Sequence, residues 1–274
     1  MKGNNNKNPD IITPDIRVFF RNSQKMKEIK DGEAQLVVTS PPYWNLKDYS
    51  KDKEQIGNIE STYQEYLKEV CRVWKECYRI LSEDGKLVIN IGKATTRTKE
   101  FGRRIETPMF SDFVQQCCWK IGFDFWDMII WQKRGNYKVN NKYIFGSYPY
   151  PPNFIMAATA FEYILVFKKG GKRSRKPTKK EKHLSKLTQD EWRKYTTPVW
   201  IFSPASQQSG HPAVFPEELP KRIIKLYSFV GDLVVDPFLG SGTTLKVCKK
   251  LKRKGIGYEI NKNYKPLIMA KVFN

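Results

Sequence analysis

The sequence predicts an α/β fold: a mostly parallel sheet with helices on both faces. Two observations predict it. Short apolar runs rich in β-branched and aromatic residues alternate with stretches of helical periodicity. Such alternation favours parallel strands joined by crossover helices and buried on both sides. At 274 residues, with 40% hydrophobic and 14% aromatic residues, the chain can build a sizeable core in one large domain or two small ones.

The elements follow in order. Residues 36–39, 86–91, 128–131, 163–167, 233–235 and 255–260 read as strands, each flanked by polar residues or glycine. Between the first two, Tyr63, Tyr66, Leu67, Val70, Val73, Trp74, Cys77 and Leu81 form a stripe that predicts a helix over 62–81. Residues 82–85 end it and turn into the next strand. Helices are expected again at 217–227 and 243–251. Residues 135–209 show few clean periods and several Tyr, Pro and Gly, and read as an irregular insertion. No repeat of solenoid period is present. The expected division is 1–134 and 211–274 as two parts of one domain, with 135–210 inserted for target recognition.

Charge narrows the function. Lys and Arg number 49 against 28 Asp and Glu, a formal net charge of +21. A polyanion is the natural partner, and nucleic acid is the commonest. A membrane is the rival, but no apolar stretch approaches the ~20 residues of a spanning helix. Residues 1–9 are Asn-rich without an apolar core, which reads against a secretory signal. Five cysteines with no CxxC pair suit a reducing compartment, so a cytoplasmic, DNA-associated protein is expected. With only His183 and His211, a His-based zinc site or His-centred triad is hard to assemble, and no metal is expected. Residues 168–182 carry nine bases and one acid. They are either a solvated linker or a loop that tracks phosphates, with Lys172, Arg173, Arg175 and Lys176 as the phosphate contacts.

Two motifs carry chemistry. Asp236-Pro237-Phe238-Leu239-Gly240-Ser241-Gly242-Thr243-Thr244 follows a strand and opens a helix. Its glycines permit a sharp turn and close approach of a ligand to the main chain, at a helix N-terminus. No Lys follows Gly242, which excludes a P-loop, and Leu245 occupies the third position of a dinucleotide fingerprint. A nucleoside without pyrophosphate fits better. Glu259 lies 17 residues beyond Gly242, at the end of the next apolar run, where an acid commonly accepts ribose hydroxyls. The other motif, Thr39-Ser40-Pro41-Pro42-Tyr43-Trp44, follows the first strand. Its prolines fix φ and remove two donors, leaving carbonyl acceptors beside the Ser40 hydroxyl. Tyr43 and Trp44 supply flat faces, so the motif suits an exocyclic amine on a planar base. Singly, each motif is also compatible with a packed strand-end turn.

Together they resemble the amino-type DNA methyltransferases that use S-adenosyl-L-methionine, with their D-P-F-x-G-S-G-T-T loop and S/D/N-P-P-Y/W tetrapeptide. The tetrapeptide precedes the loop, an order similar to the permuted class β. Residues 84–92 and 211–216 resemble two further stretches of the family, and the likeness covers most of the chain outside 135–209. The resemblance implies a Rossmann-like methyltransferase sheet, circularly permuted, with a basic insertion. It implies a cofactor site of Asp236, Phe238, Gly240, Gly242 and Thr243, with Glu259 on the ribose and His211, Pro212 and Phe215 at the methionine end. It implies a base pocket of Ser40, Pro41, Pro42 and Tyr43, with Tyr43 stacking on a flipped base. Ser at the first position resembles the cytosine-N4 enzymes more than the adenine-N6 ones. Duplex DNA is the implied substrate; a homodimer and a cognate restriction endonuclease are the further partners it admits. A binding relative without catalysis is the alternative class. The recognised base sequence has no readable code.

Overall fold

A computed structural model describes residues 8–44, 55–57, 61–95, 106–134, 144–147, 150–156, 160–205 and 215–273. Among them a nine-stranded sheet forms the frame. It is built from β1 (Ile11–Ile12), β2 (Ile16–Phe19), β3 (Ala34–Thr39), β4 (Leu81–Ile91), β7 (Phe123–Lys133), β10 (Phe161–Lys169), β11 (Val199–Phe202), β12 (Leu233–Asp236) and β13 (Lys254–Tyr258). Two short pairs stand apart: β5 (Ala94–Thr95) with β6 (Glu106–Thr107), and β8 (Ile144–Ser147) with β9 (Tyr150–Met156). The order across the main sheet is β1-β2-β13-β12-β3-β4-β10-β7-β11.

Strands β2, β13, β12, β3 and β4 are mutually parallel, as expected. The sheet is nonetheless mixed, because β10 runs antiparallel to both β4 and β7. Helix α1 (Tyr63–Ile80) joins β3 to β4, and α6 (Thr243–Lys250) joins β12 to β13. These connections lead away from the β3/β12 seam in opposite directions. Such a switch point opens a crevice beyond the carboxyl ends of the two strands.

Successive residues of β3 show why its run is uninterrupted. Val37 enters a core with Val73, Trp74 and Cys77 of α1 and Phe113 of α2 (Met109–Gln115). Leu36 and Val38 enter the opposite core, beneath α5 (Glu218–Tyr227), α6 and α7 (Lys265–Val272). Both faces are covered, so both parities are apolar. Helix α1 starts with a capping box, Thr62 with Glu65, and buries Tyr66, Val70, Val73, Trp74, Cys77 and Ile80. Residues 82–85, expected as a turn, lie within β4 as an irregularity: pairing with β3 jumps from Leu81 to Lys86, and Asp84 takes φ 63°.

The irregular insertion is corrected. Within 135–209, β10 lies between β4 and β7, and β11 extends the sheet beyond β7. Helices α3 (Lys179–Leu184) and α4 (Gln189–Tyr195) each open with a capping box. They escape detection because they bury almost nothing: no residue of α3, and only Tyr195 of α4. All five cysteines are unpaired thiols.

Candidate active site

The carboxyl ends of β3 and β12 carry the two motifs. The strands pair in register, Val234 with Leu36 and Val235 with Val37. A side-chain bond then closes the crevice between residues 197 apart in the chain: Thr39 Oγ1 donates to Asp236 Oδ1 at 2.8 Å. Thr244 Oγ1 donates to Asp236 Oδ2 at 2.6 Å, and the Phe238 amide to Oδ1 at 3.0 Å. Asp236 is fully buried, and burial pushes its carboxyl up to about 6 despite these three donors. It is therefore the pin between the motifs, with both oxygens committed to the protein. Thr39 and Thr244 were missed as its partners.

The glycine loop turns where expected. Gly240 and Gly242 have φ of 54° and 88°. A Cβ on Gly242 would lie 2.8 Å from Val272 Cγ2, so glycine is required there by both conformation and space. Thr243 begins α6 but is buried, with its hydroxyl 3.3 Å from the Lys271 ammonium; Lys271 also donates to Ser241 Oγ at 2.7 Å. Phe238 is half-buried and meets Trp74 edge-on.

Glu259 follows β13 and points back at the loop. The Gly240 amide donates to its Oε2 and the Asn261 amide to its Oε1, each at 2.8 Å. Burial raises the carboxyl from the usual 4.5 to about 7, against those backbone donors and with Asp236 adding repulsion. Each carboxylate oxygen can accept twice. The Ile260 amide also bonds the carboxylate, and the acceptor capacity that remains suits a ribose hydroxyl, with the main chain at Gly240 letting a nucleoside approach. The residues fit S-adenosyl-L-methionine.

In the tetrapeptide, Pro41 is buried while Ser40, Pro42 and Tyr43 are half-buried. The Pro42 carbonyl accepts from Tyr66 Oη at 3.0 Å, which leaves Ser40 and Pro41 as the acceptors nearest β3. Trp44 is corrected. It is 2% exposed, donates from Nε1 to the Ser61 carbonyl at 2.9 Å and packs on Tyr63, so it is core rather than a ligand face. Phe215 is half-buried against the helix-α5 side of the sheet, and His211 and Pro212 lie outside the described residues.

The basic loop is elsewhere. Strand β10 pairs Tyr163 with Ile91 near the crevice and Lys168 with Lys86 at the other end of the sheet. Its continuation thus emerges at the amino ends of β3, β4 and β12. There Arg173 Nη2 reaches Asp232 Oδ1 at 2.5 Å and its guanidinium lies over Phe229, while Arg175 pairs with both Asp232 and Glu181. Lys172 and Lys176 are exposed. Of the four residues expected to contact DNA, Arg173 and Arg175 are engaged in internal ion pairs, and all four leave from the ends of the strands opposite the base pocket. Among the described residues no cluster of His, Cys, Asp or Glu could hold a metal, and no helix is long and apolar enough to cross a membrane.

Known proteins share this design. A family model described as DNA methylase, N6_N4_Mtase, matches residues 34–270. The type II methyltransferase M.MjaI of Methanocaldococcus jannaschii is 35% identical, over 95% of this chain and 92% of its own. M.MthZI of Methanothermobacter thermautotrophicus is 33% identical, over 93% of this chain and 76% of its own. A putative DNA modification methylase of Thermus thermophilus, solved with S-adenosyl-L-methionine, superposes with a TM-score of 0.74 at 32% identity, covering 93% of this chain and 94% of that one. The fold also matches the cytosine-N4-specific PvuII DNA methyltransferase, TM-score 0.71 at 21% identity, covering 97% and 89%. The chain belongs to the N6/N4 DNA methylase family and is a DNA methyltransferase that uses S-adenosyl-L-methionine.

Proposed function

We propose that this methyltransferase modifies the exocyclic N4 amine of cytosine, within a specific duplex sequence, as the protective partner of a restriction endonuclease. The reading rests on Ser40. It heads the tetrapeptide at the end of β3, and its neighbour Thr39 is bonded to Asp236 of the cofactor loop. Serine at this position resembles the cytosine-N4 enzymes more than the adenine-N6 ones. The type II designation of M.MjaI and M.MthZI supports the pairing with an endonuclease.

S-adenosyl-L-methionine supplies an electrophilic sulfonium methyl when bound. The protein does the rest by placement. Glu259 and the Gly240 main chain hold the nucleoside, and Asp236 fixes the loop to β3. An aromatic amine is a poor nucleophile because its lone pair is delocalised into the ring. The Ser40 hydroxyl and Pro41 carbonyl accept its hydrogens and favour a pyramidal nitrogen, while Tyr43 stacks on the flipped base. No covalent link between enzyme and base is needed. Incubation with duplex DNA and labelled cofactor, followed by nucleoside analysis, is the test. Label in N4-methyl-2′-deoxycytidine supports the proposal; label in N6-methyl-2′-deoxyadenosine overturns it.

A further inference from the structure

A second polar group borders the tetrapeptide on the side away from the cofactor loop. Asn90 on β4 donates from Nδ2 to Glu162 Oε2 on β10 at 2.6 Å, and Lys133 on β7 donates to Glu162 Oε1 at 2.5 Å. The cluster is enclosed: Asn90 is 2% exposed, and the side chains of Glu162 and Lys133 are 12% and 14% exposed. It touches the base pocket. A Cβ placed on Gly92 would lie 3.0 Å from Tyr43 Cε2 and 3.4 Å from Glu162 Cγ, so the Tyr43 ring and Glu162 meet over the same glycine.

The chemistry fixes one amide orientation. A carboxylate paired with a lysine only accepts, so the atom of Asn90 that faces it is the NH2 group. Its Oδ1 must then point the opposite way. Strand β4 has β10 on one side and β3 on the other, so away from Glu162 is toward β3. Thr39 pairs with Ile89, which puts Ser40 beside Asn90 one step further along the ladder. Among the described residues, the buried Asn90 Oδ1 meets no hydrogen-bond donor. An orphan buried acceptor is rare and calls for a donor.

We infer that Glu162, neutralised by Lys133, is a positioning residue for methyl transfer. It locks the Asn90 amide so that Oδ1 is held on the Ser40 side, where it takes the Ser40 hydroxyl hydrogen once the target base is seated. The lone pairs of Ser40 Oγ are thereby turned toward the target amine, and the chain of bonds strengthens Oγ as an acceptor. This rests on the reading of Ser40 as the amine's acceptor, whichever base carries that amine.

The test is an exchange of chemistry between two positions. Glu162→Gln can present either end of its amide, so Asn90 loses its fixed orientation. Single-turnover methylation should fall about tenfold, the scale of one oriented hydrogen bond, with cofactor affinity within about twofold. Asn90→Asp sets two carboxylates side by side, which must share a proton, so its rate should fall as pH rises while the parent's does not. Combining Asn90→Asp with Glu162→Gln restores one carboxylate and one amide facing each other. This variant should recover most of the lost rate and the parent pH profile. A parent-like rate in Glu162→Gln overturns the inference. So does a doubly substituted protein that binds cofactor normally but methylates no faster than the single variants. Should the singles fail to fold, the doubly substituted protein decides alone, since it keeps the number of charges. Ser40→Ala in parallel separates the premises: full activity there removes the amine-site reading, whereas a slow Ser40→Ala beside an unrescued exchange removes only the role of Glu162.

Discussion

Binding of S-adenosyl-L-methionine will be linked to the release of a proton from Glu259. The carboxyl is raised to about 7 by burial, while its oxygens are offered to ribose hydroxyls, which need the ionised form as acceptor. A group titrating near 7 is about one-tenth ionised at pH 6 and about nine-tenths at pH 8, so affinity should strengthen roughly tenfold across that interval. Calorimetry at pH 6, 7 and 8, in buffers of different ionisation enthalpy, reads both the affinity and the proton released. Glu259→Gln removes the titration and keeps an acceptor for the Gly240 amide; its series subtracts the ligand's own ionisation. The linkage has a second face in the ligand-free protein. A carboxyl whose folded value lies above its unfolded value binds protons better when folded. Its stabilising contribution is complete below about 4.5 and is lost as pH rises through about 7. The rise from 4.5 to about 7 sets an upper bound of about 3 kcal/mol. Glu259→Gln should therefore gain on the parent in thermal stability between pH 5 and 8. Identical pH slopes for parent and variant, in both affinity and melting temperature, would refute the reasoning.

Other expectations follow from the same geometry. Ser40→Ala should lower the single-turnover rate while leaving cofactor and DNA affinities near those of the parent, because the hydroxyl acts mainly in the transition state; rapid-quench assays decide it. Gly242→Ala meets both a positive φ and Val272 Cγ2 at 2.8 Å, and should cost at least about 1 kcal/mol in urea melts, with Val272→Ala relieving the contact but not the conformation. Arg173→Ala strips one partner from the buried Asp232 carboxylate while Arg175 and the Phe229 amide remain, and should cost about 1–3 kcal/mol, read by the same melts. Lys172 and Lys176 replaced by Gln should leave the salt dependence of DNA binding within about one unit of the parent, since they leave from the sheet edge opposite the base pocket.

Much of the frame was legible in the sequence because its strands are buried on both faces, and runs such as 36–39 and 233–235 then stand out as unbroken apolar stretches. Gly240 and Gly242 were legible because positive φ leaves a compositional trace. Direction leaves none. Residues 161–169 read as a strand, but nothing local says that it runs against its neighbours, and that reversal sends the basic loop to the far edge. Pairings across the sheet were equally hidden: Thr39 with Asp236, Asn90 with Glu162 and Arg173 with Asp232 depend on strand order. Trp44 was misread because an aromatic beside a proline turn looks the same whether it faces a ligand or the core.

Strand β12 is only four residues long, yet a buried aspartate stands at each of its ends. Asp232, just before it, takes Arg173 and Arg175 on one oxygen and the Phe229 amide on the other. Asp236, at its close, takes two threonines and the Phe238 amide. A slip of one residue would drag both carboxylates away from their donors and into apolar surroundings, so the strand behaves as a string stretched between two pegs. The pitch of that string is heard at the glycine loop. A protein loosened at the Arg173 peg should hold its cofactor in a more variable position, and the far edge of the sheet thereby becomes a tuning point for a reaction carried out at the other.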